Sequence, residues 1–488
     1  MQFLMNNNRL SLKIKQEHKP MERILEFSRL AVLGGAVSFL GGCAMSSMFT
    51  AYPDQAQSFK QAIYKGDVGT VVDRNAILLE LEEERESADH MLYMMERARI
   101  NQIGDSFNDS KTDFEQVILS FEEQDLAATI QAGETAAQAA SLLTNDNAIP
   151  YKGSAYERIF VHHHQAFNYL GNNDLDGASV EFRKVALEQR VLLEKHEKDV
   201  AEAYEDAEEN SIDVNTLSNQ FAGLDTIAGK VKSSFQNAYT FYASAAFWEA
   251  TGELDSALID YKKAFEINSS NDYIKQDIAR VSKKRGDRID ATETNEAQQG
   301  QGSIVVFFEE GFVPAKSEIK VPIPTLDGGF ISLAFPYYET EMWPLSQTLR
   351  VMGNDFNELG ITRELVDVSA LAVKDLKEQI PQLLVRQALR GFAKYQLQKQ
   401  SGDNLGLAGQ LTASIYNVIS ESADRRSWLT LPHTVQVMRF NLDAGDQTLN
   451  LATTTSQAKI NISVPENRTL FVRVVGVNNQ LIPQVFRL

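Results

Sequence analysis

Apolar residues recur at helical spacing over residues 55–285 and at strand spacing from Ile304 onward. In the first stretch Leu78, Leu79 and Leu81, then Met91, Leu92, Met94 and Met95, alternate with Glu and Arg, and no proline falls between Pro53 and Pro150. Phe114, Val117, Ile118 and Phe121 form the apolar face of a further helix behind the candidate caps Asp109, Ser110 and Asp113. The methionines fit a plastic groove or a core, and their helical spacing favours core. Later, residues 304–308 are a short apolar run. Ile319, Val321 and Ile323 alternate with Lys320, Pro322 and Pro324, as on an edge strand. Further strands are expected over 330–335 (stopped by Pro336), 435–442, 447–453, 459–464 and 469–475, with 443–446 as a hairpin loop. Residues 366–400 read as a helix with Leu376, Ile380, Leu383, Leu384, Leu389 and Phe392 on its apolar face and Pro381 at a first turn or kink. Residues 405–420 read as another helix.

Two segments of the helical half share a pattern. Ala166 and Tyr169 precede a turn, Leu175-Asp176-Gly177-Ala178 and Phe182; Ala245 and Trp248 precede Gly252, Leu254-Asp255-Ser256-Ala257, Tyr261 and Ala264. The alanines let paired helices approach closely, the aromatic residues fill space between hairpins, and Gly252 ends its helix at positive φ. The pattern resembles the tetratricopeptide repeat, which implies a stacked solenoid with a concave, partner-binding face. The two Leu-Asp-x-Ala motifs stand 79 residues apart, so 190–234 is read as an inserted helical hairpin turning near 210–215. Residues 59–73 and 114–140 are candidate degenerate repeats, and an irregular bundle is the plainer alternative. The expected fold is a multidomain α + (α+β) chain. Its parts are an all-α repeat-like solenoid over 55–285, a polar linker over 286–302, and a β-rich α+β domain, or a sandwich carrying helices, over 303–488.

Residues 1–54 differ again. Arg23 and Arg29 precede an apolar core, residues 31–40, that is shorter than the roughly 20 residues of a spanning helix. Then comes Leu40-Gly41-Gly42-Cys43, which holds the sole cysteine. This resembles a bacterial lipobox, which implies a signal peptide over 1–42, cleavage between Gly42 and Cys43, lipidation of Cys43 and a tether over 43–54. The leader reads best from Met21. Ala44 in the following position implies delivery to the outer membrane, on its periplasmic face. An ordinary secretory leader or a buried helix is the alternative. With residues 311–316, 334–338 and 424–432, the whole layout resembles an uncharacterised family of repeat-containing Gram-negative lipoproteins that brings no established activity.

Charge narrows the partners. The chain carries −19, of which −21 falls on residues 43–300, because residues 1–42 hold six basic and three acidic residues and 301–488 seventeen and eighteen. Nucleic acid requires a basic footprint and is excluded. An anionic membrane surface repels the same segment. With Cys43 acylated no thiol is left for a disulfide, a metal site or a nucleophile.

Candidate chemistry is sparse. His162, His163 and His164 point three ways on a helix and cannot share one ion, so no metal is expected. Glu157 and Arg158 read as a local charge pair. Ser317 with Lys320, and Ser456 with Lys459, match S-x-x-K without its partner motifs. Arg425, Arg426 and Trp428 form a basic aromatic knot, a candidate binding surface unless Trp428 is packed in a core. The expectation is a non-enzymatic protein without cofactor. It would bind an envelope protein as a scaffold and be held to the membrane by its N-terminal lipid. Regulation of a peptidoglycan enzyme, peptidoglycan binding, or an envelope hydrolase with an unrecognised site are the other readings.

Overall fold

The computed structural model describes residues 51–65, 78, 88–131, 146–210, 212–288, 296–324, 330–343, 345–392 and 422–488. The leader with Gly42 and Cys43, Leu79, Leu81 and the helix expected over 405–420 lie outside the described residues. Residues Tyr52–Leu488 make one compact unit of mixed helix and sheet.

After a turn of helix at Tyr52–Gln55 and α1 (Gln57–Lys65), helices pack as consecutive pairs: α2 (His90–Ile103) with α3 (Phe107–Gln131), α4 (Ala155–Gly171) with α5 (Leu175–Glu209), and α6 (Ala238–Ala250) with α7 (Leu254–Ile267), followed by α8 (Asp272–Arg285). The first helix of each pair is buried on nearly every side, which suits sequences such as Ala-Tyr-Thr-Phe-Tyr-Ala-Ser-Ala-Ala-Phe-Trp in α6. The second helix keeps an exposed face. Ser154 and Glu157 form a capping box at the start of α4, and Asn271 caps α8 through Tyr273 and Ile274. The tight turns within the pairs use a left-handed residue, Asn173 at φ 57° and Gly252 at φ 85°. The inserted hairpin begins differently from the expectation. Helix α5 runs unbroken through 190–209, because Leu192, Ala203 and Ala207 keep the buried stripe going.

The strands are β1 (Gln301–Glu310), β2 (Ser317–Pro324), β3 (Phe330–Tyr337), β4 (Arg350–Met352), β5 (Glu358–Ile361), β6 (Arg363–Asp367), β7 (Thr434–Asp443), β8 (Gly445–Ala452), β9 (Gln457–Val464), β10 (Thr469–Val477) and β11 (Gln480–Arg487). A five-stranded sheet has the order β11-β10-β1-β7-β6, a four-stranded one β5-β4-β8-β9, and β2 pairs with β3 alone. Central β1 runs parallel to β10 and antiparallel to β7, with Phe307 opposite both Arg473 and Val437. The two-residue period of β1 then assigns its side chains. Ile304, Val306 and Phe308 enter the core between the two sheets; Val305 and Phe307 enter the core shared with the helices.

The result is three layers: helices, five-stranded sheet, four-stranded sheet. The sequence boundary at 286–302 marks a change of secondary structure rather than a change of core. Three local expectations change. Residues 443–446 do not close a hairpin, because β7 and β8 belong to different sheets and the turn carries the chain from one to the other. Val366 is in β6, with the helix, α9, starting after it over 368–392 and Pro381 in its interior. Strand β3 continues through Pro336 to Tyr337; Pro336 lies opposite Glu318 on β2.

Candidate functional site

The repeat residues fall inside the paired helices. Ala166, Ala178, Ala245, Ala257 and Ala264 are buried at the helix contacts. Phe182 reaches across to the next pair, 5.1 Å from Phe247 and close to Trp248, whose ring also carries the Arg183 guanidinium at 4.6 Å. The other two aromatics pack against their own partner helix and also meet a cation from outside the pair, Lys111 of α3 over Tyr169 and Arg439 of β7 at the Tyr261 hydroxyl. Tyr169 lies over Gly177, where a Cβ would come within 2.2 Å of the ring. Tyr261 stacks edge-on with Tyr242 at 5.3 Å and donates to Glu249.

The inner helices rest on the five-stranded sheet, and that seam is polar as well as apolar. In one cluster Glu309 of β1 is ion-paired with Arg99 of α2 and accepts from the Tyr239 hydroxyl of α6 at 2.8 Å. Arg473 of β10 donates to Gln102 at 2.7 Å and to Gln484, whose amide returns to the Gln102 carbonyl at 2.7 Å. Burial pushes the Glu309 carboxyl up, but Arg99 and Arg473 outweigh it and hold the group below its usual range. In a second cluster Glu249 of α6 accepts from Arg280 (2.7 and 2.8 Å), Lys284 (2.8 Å) and Arg439 of β7 (2.9 Å). Arg280 also reaches Asp277, which takes the Tyr242 hydroxyl. Burial opposes the charge on Glu249, and these cations override it.

A third contact is made by the strap leading into β7. Glu96 of α2 accepts the backbone amides of Leu429 (2.6 Å) and Thr430 (3.1 Å), and Glu157 of α4 accepts that of Trp428 (2.7 Å). Glu96 is fully buried and forms no ion pair within 4.0 Å among the described residues, and burial pushes it up to about 7 against those hydrogen bonds and the charge of Lys60. The expected knot is therefore divided. Trp428 is completely buried, 5.7 Å from both Phe114 and His164. Arg426 is buried between Asp424, Asp89 and the carbonyls of Asp146 and Ile149. Only Arg425 stays partly open, 4.0 Å from Asp54. The strap supplies donors that the helix carboxylates need, so it is pulled inside.

The remaining candidates separate similarly. Glu157 and Arg158 do not pair with each other; Arg158 binds Asp125 and Glu188 instead. His162 is held by Glu181 at 2.7 Å. His163 and His164 are buried, and their ring nitrogens have no hydrogen-bond partner among the described residues. Burial lowers the former to about 3 and the latter well below its ordinary value. Among the described residues no group of three or more His, Cys, Asp or Glu is placed to hold a metal, and no helix is long and apolar enough to cross a membrane. Ser317 and Lys320 sit three apart on β2 and so face opposite sides, while the Ser317 hydroxyl donates to the Tyr337 carbonyl at 3.2 Å. The Ser456 hydroxyl donates to the Asn478 carbonyl.

One pairing that sequence reasoning missed joins Ser369, at the start of α9, to His433 Nδ1. It is a nucleophile–base geometry, but Ser369 is completely buried, so no substrate reaches it in this arrangement. The pair is 64 residues apart and carries no local motif. Exposed apolar side chains occur on the outer side of the helical layer and, away from it, at Leu345 and Phe356. In the helical layer Leu119, Leu126, Val180, Leu187, Val191 and Ile259 are exposed on α3, α5 and α7. No protein-family model matches the chain, and neither a curated protein nor a solved structure matches it.

Proposed function

We propose that this chain is a lipid-anchored lipoprotein of the outer membrane, facing the periplasm, that works as a protein-docking scaffold in cell-envelope assembly. The observation that carries the reading is Leu40-Gly41-Gly42-Cys43, which sets the sole cysteine behind a short apolar run and small residues. Several acyl chains on one residue anchor firmly, since each buried methylene contributes about 0.8 kcal/mol. Docking on the helices is supported by their architecture. Their inner side is taken up by the protein's own sheet, and their outer side presents apolar side chains on an acidic background. Repeat-like helix pairs bind by surface area and anchoring side chains rather than by chemistry.

Mass spectrometry of the mature N-terminus tests the anchor: the expected species begins at acylated Cys43. Cys43→Ser should move the protein out of the membrane fraction. Crosslinking in intact cells should recover a defined partner, lost when the exposed Leu119, Leu126, Val180, Leu187, Val191 and Ile259 are replaced by serine. An unmodified Cys43 in a protein that is just as membrane-bound overturns the anchor, and a body without a partner overturns the scaffold.

A further inference from the structure

Residues 52–65 dock on the body along one stripe. Tyr52, Ala56, Phe59 and Ile63 are buried at spacings of four, three and four. The Tyr52 hydroxyl donates to Glu96 at 3.2 Å, and its ring meets that of Tyr93 at 5.6 Å. Further along α1 the Tyr64 ring lies 5.4 Å from Phe312, whose face also carries the Lys60 ammonium at 5.4 Å. The Asn478 amide donates to the Tyr64 carbonyl at 3.4 Å. Phe312 comes just after β1, and Asn478 directly after β10. The segment is thereby fixed on the end of the five-stranded sheet where β1 and β10 finish and β7 begins.

Leu345 sits at the same end. Its neighbour Ser346 reaches Thr434, the first residue of β7, at 3.5 Å, and Gln347 donates its amide to Glu310, the last residue of β1, at 2.9 Å. At 92% exposed, Leu345 is the most open large apolar residue among the described ones. Phe356 marks the opposite end. It lies in the β4–β5 turn, where Asn354 bonds Gln447 and Thr448 at the start of β8, and Ala444 just before β8 donates to the Gly300 carbonyl beside the first residue of β1.

Chain length joins one of these ends to the lipid. Eight residues separate Cys43 from Tyr52, so an acyl group on Cys43 is held within about 30 Å of Tyr52. A compact body of residues 52–488 is roughly 55 Å across. A reach of about half that width keeps the end carrying α1 turned towards the leaflet. Charge acts in the same direction. Residues 52–65 set Asp54 against Lys60 and Lys65, and residues 301–488, which supply the strand ends, are nearly neutral, while −21 falls on residues 43–300 as a whole. A leaflet with anionic headgroups therefore repels the helical side more than this end. The exposed Glu339 and Glu341 stand close to Leu345 in the chain, so contact is with headgroups rather than by insertion among acyl chains. We propose that this sheet end, with Leu345 and α1, lies against the phospholipid headgroups of the leaflet that holds the Cys43 lipid. This rests on the lipoprotein reading above and gives the body an orientation.

The test uses the acylated full chain, extracted from membranes and reconstituted in phosphatidylcholine vesicles containing a rhodamine-labelled lipid. With Cys43 occupied by lipid, a cysteine placed elsewhere is the sole thiol. Leu345→Cys and Phe356→Cys are each labelled with fluorescein, and circular dichroism verifies that both fold. Energy transfer to the labelled lipid should be at least about twofold more efficient from position 345 than from 356, as the difference in distance requires. Equal transfer, or more from 356, overturns the orientation and leaves the lipoprotein reading standing. A chain that carries no acyl group and does not join the vesicles overturns both. In cells, a photocrosslinker at Leu345 should capture no protein; capture of a defined protein there assigns this end to a protein partner and overturns the proposal.

Discussion

The five-stranded sheet has two faces that solve the same burial problem in opposite ways. Towards the second sheet the core is built from Ile304, Val306, Phe308, Leu449, Leu451, Leu470, Val472 and their neighbours, with Gln436 of β7 bonded to Thr362 as an uncharged polar pair. Towards the helices the same strands bury Glu309, Arg439 and Arg473 beside Phe307 and Phe471. An apolar seam stabilises by area and close packing but does not by itself name a partner for each position. A buried ion pair adds little net stability, yet removing one partner leaves an uncompensated charge. Each charged group here names a partner helix: Glu309 selects α2 and α6, Arg439 selects α6, and Arg473 selects α2. The difference suggests that the apolar face holds the fold together and the polar face sets which helix sits on which strand.

Neighbouring positions on β1 and β10 put that contrast to the test. The largest effect is expected for Glu309→Ala, a loss of about 3–5 kcal/mol in urea unfolding, because Arg99 is left buried and unpaired. Next comes Gly476→Ala, where a Cβ would stand 2.5 Å from the Phe308 ring; overpacking should cost about 1–3 kcal/mol. Ile304→Val, on the apolar face of β1, should cost only about 0.5–1.5 kcal/mol. If Glu309→Ala costs no more than Ile304→Val, the contrast between the faces is wrong.

The response to pH should be the shallowest. His163, lowered to about 3 from an ordinary 6.5, binds its proton more readily when unfolded, as does His164. Their effect is a loss of stability as pH falls from 6.5 towards 3. Glu96 and Asp375, both pushed up to about 7 from 4.5 and 3.8, hold protons more tightly when folded, so stability falls as pH rises from those values through 7. The two slopes oppose each other between about 4.5 and 6.5, giving a flat-topped profile that drops on either side. Glu96→Gln should flatten the alkaline limb. Urea midpoints measured from pH 4 to 8 check this, and a profile unaltered by the substitution would reassign that limb to other groups.

Much of the framework was legible because periodicity reports burial directly. Strands β1, β7, β8, β9 and β10 were found within a few residues of their ends, and the buried face of α3 was read side chain by side chain. What escaped was short, mixed or distant. Strands β4 and β5 have three and four residues, and β11 contains Pro483 among polar positions, so none shows a clean alternation. The seam partners are further beyond reach, since Arg99 and Glu309 stand 210 residues apart and nothing local marks either as buried. Arg426 looked like a surface group for the same reason: its two carboxylates are Asp424 nearby and Asp89, 337 residues upstream.

The parallel pairing of β1 with β10 also bears on how the chain is made. The platform under the helices stays unfinished until residues 469–487 have left the ribosome, because β10 is the direct neighbour of the central strand and carries Arg473. Until then the sheet that covers α2, α4 and α6 lacks two of its five strands. Such late closure of long-range contacts slows folding and leaves sticky surface exposed. Losing the final two strands should therefore cost the whole molecule rather than its tail.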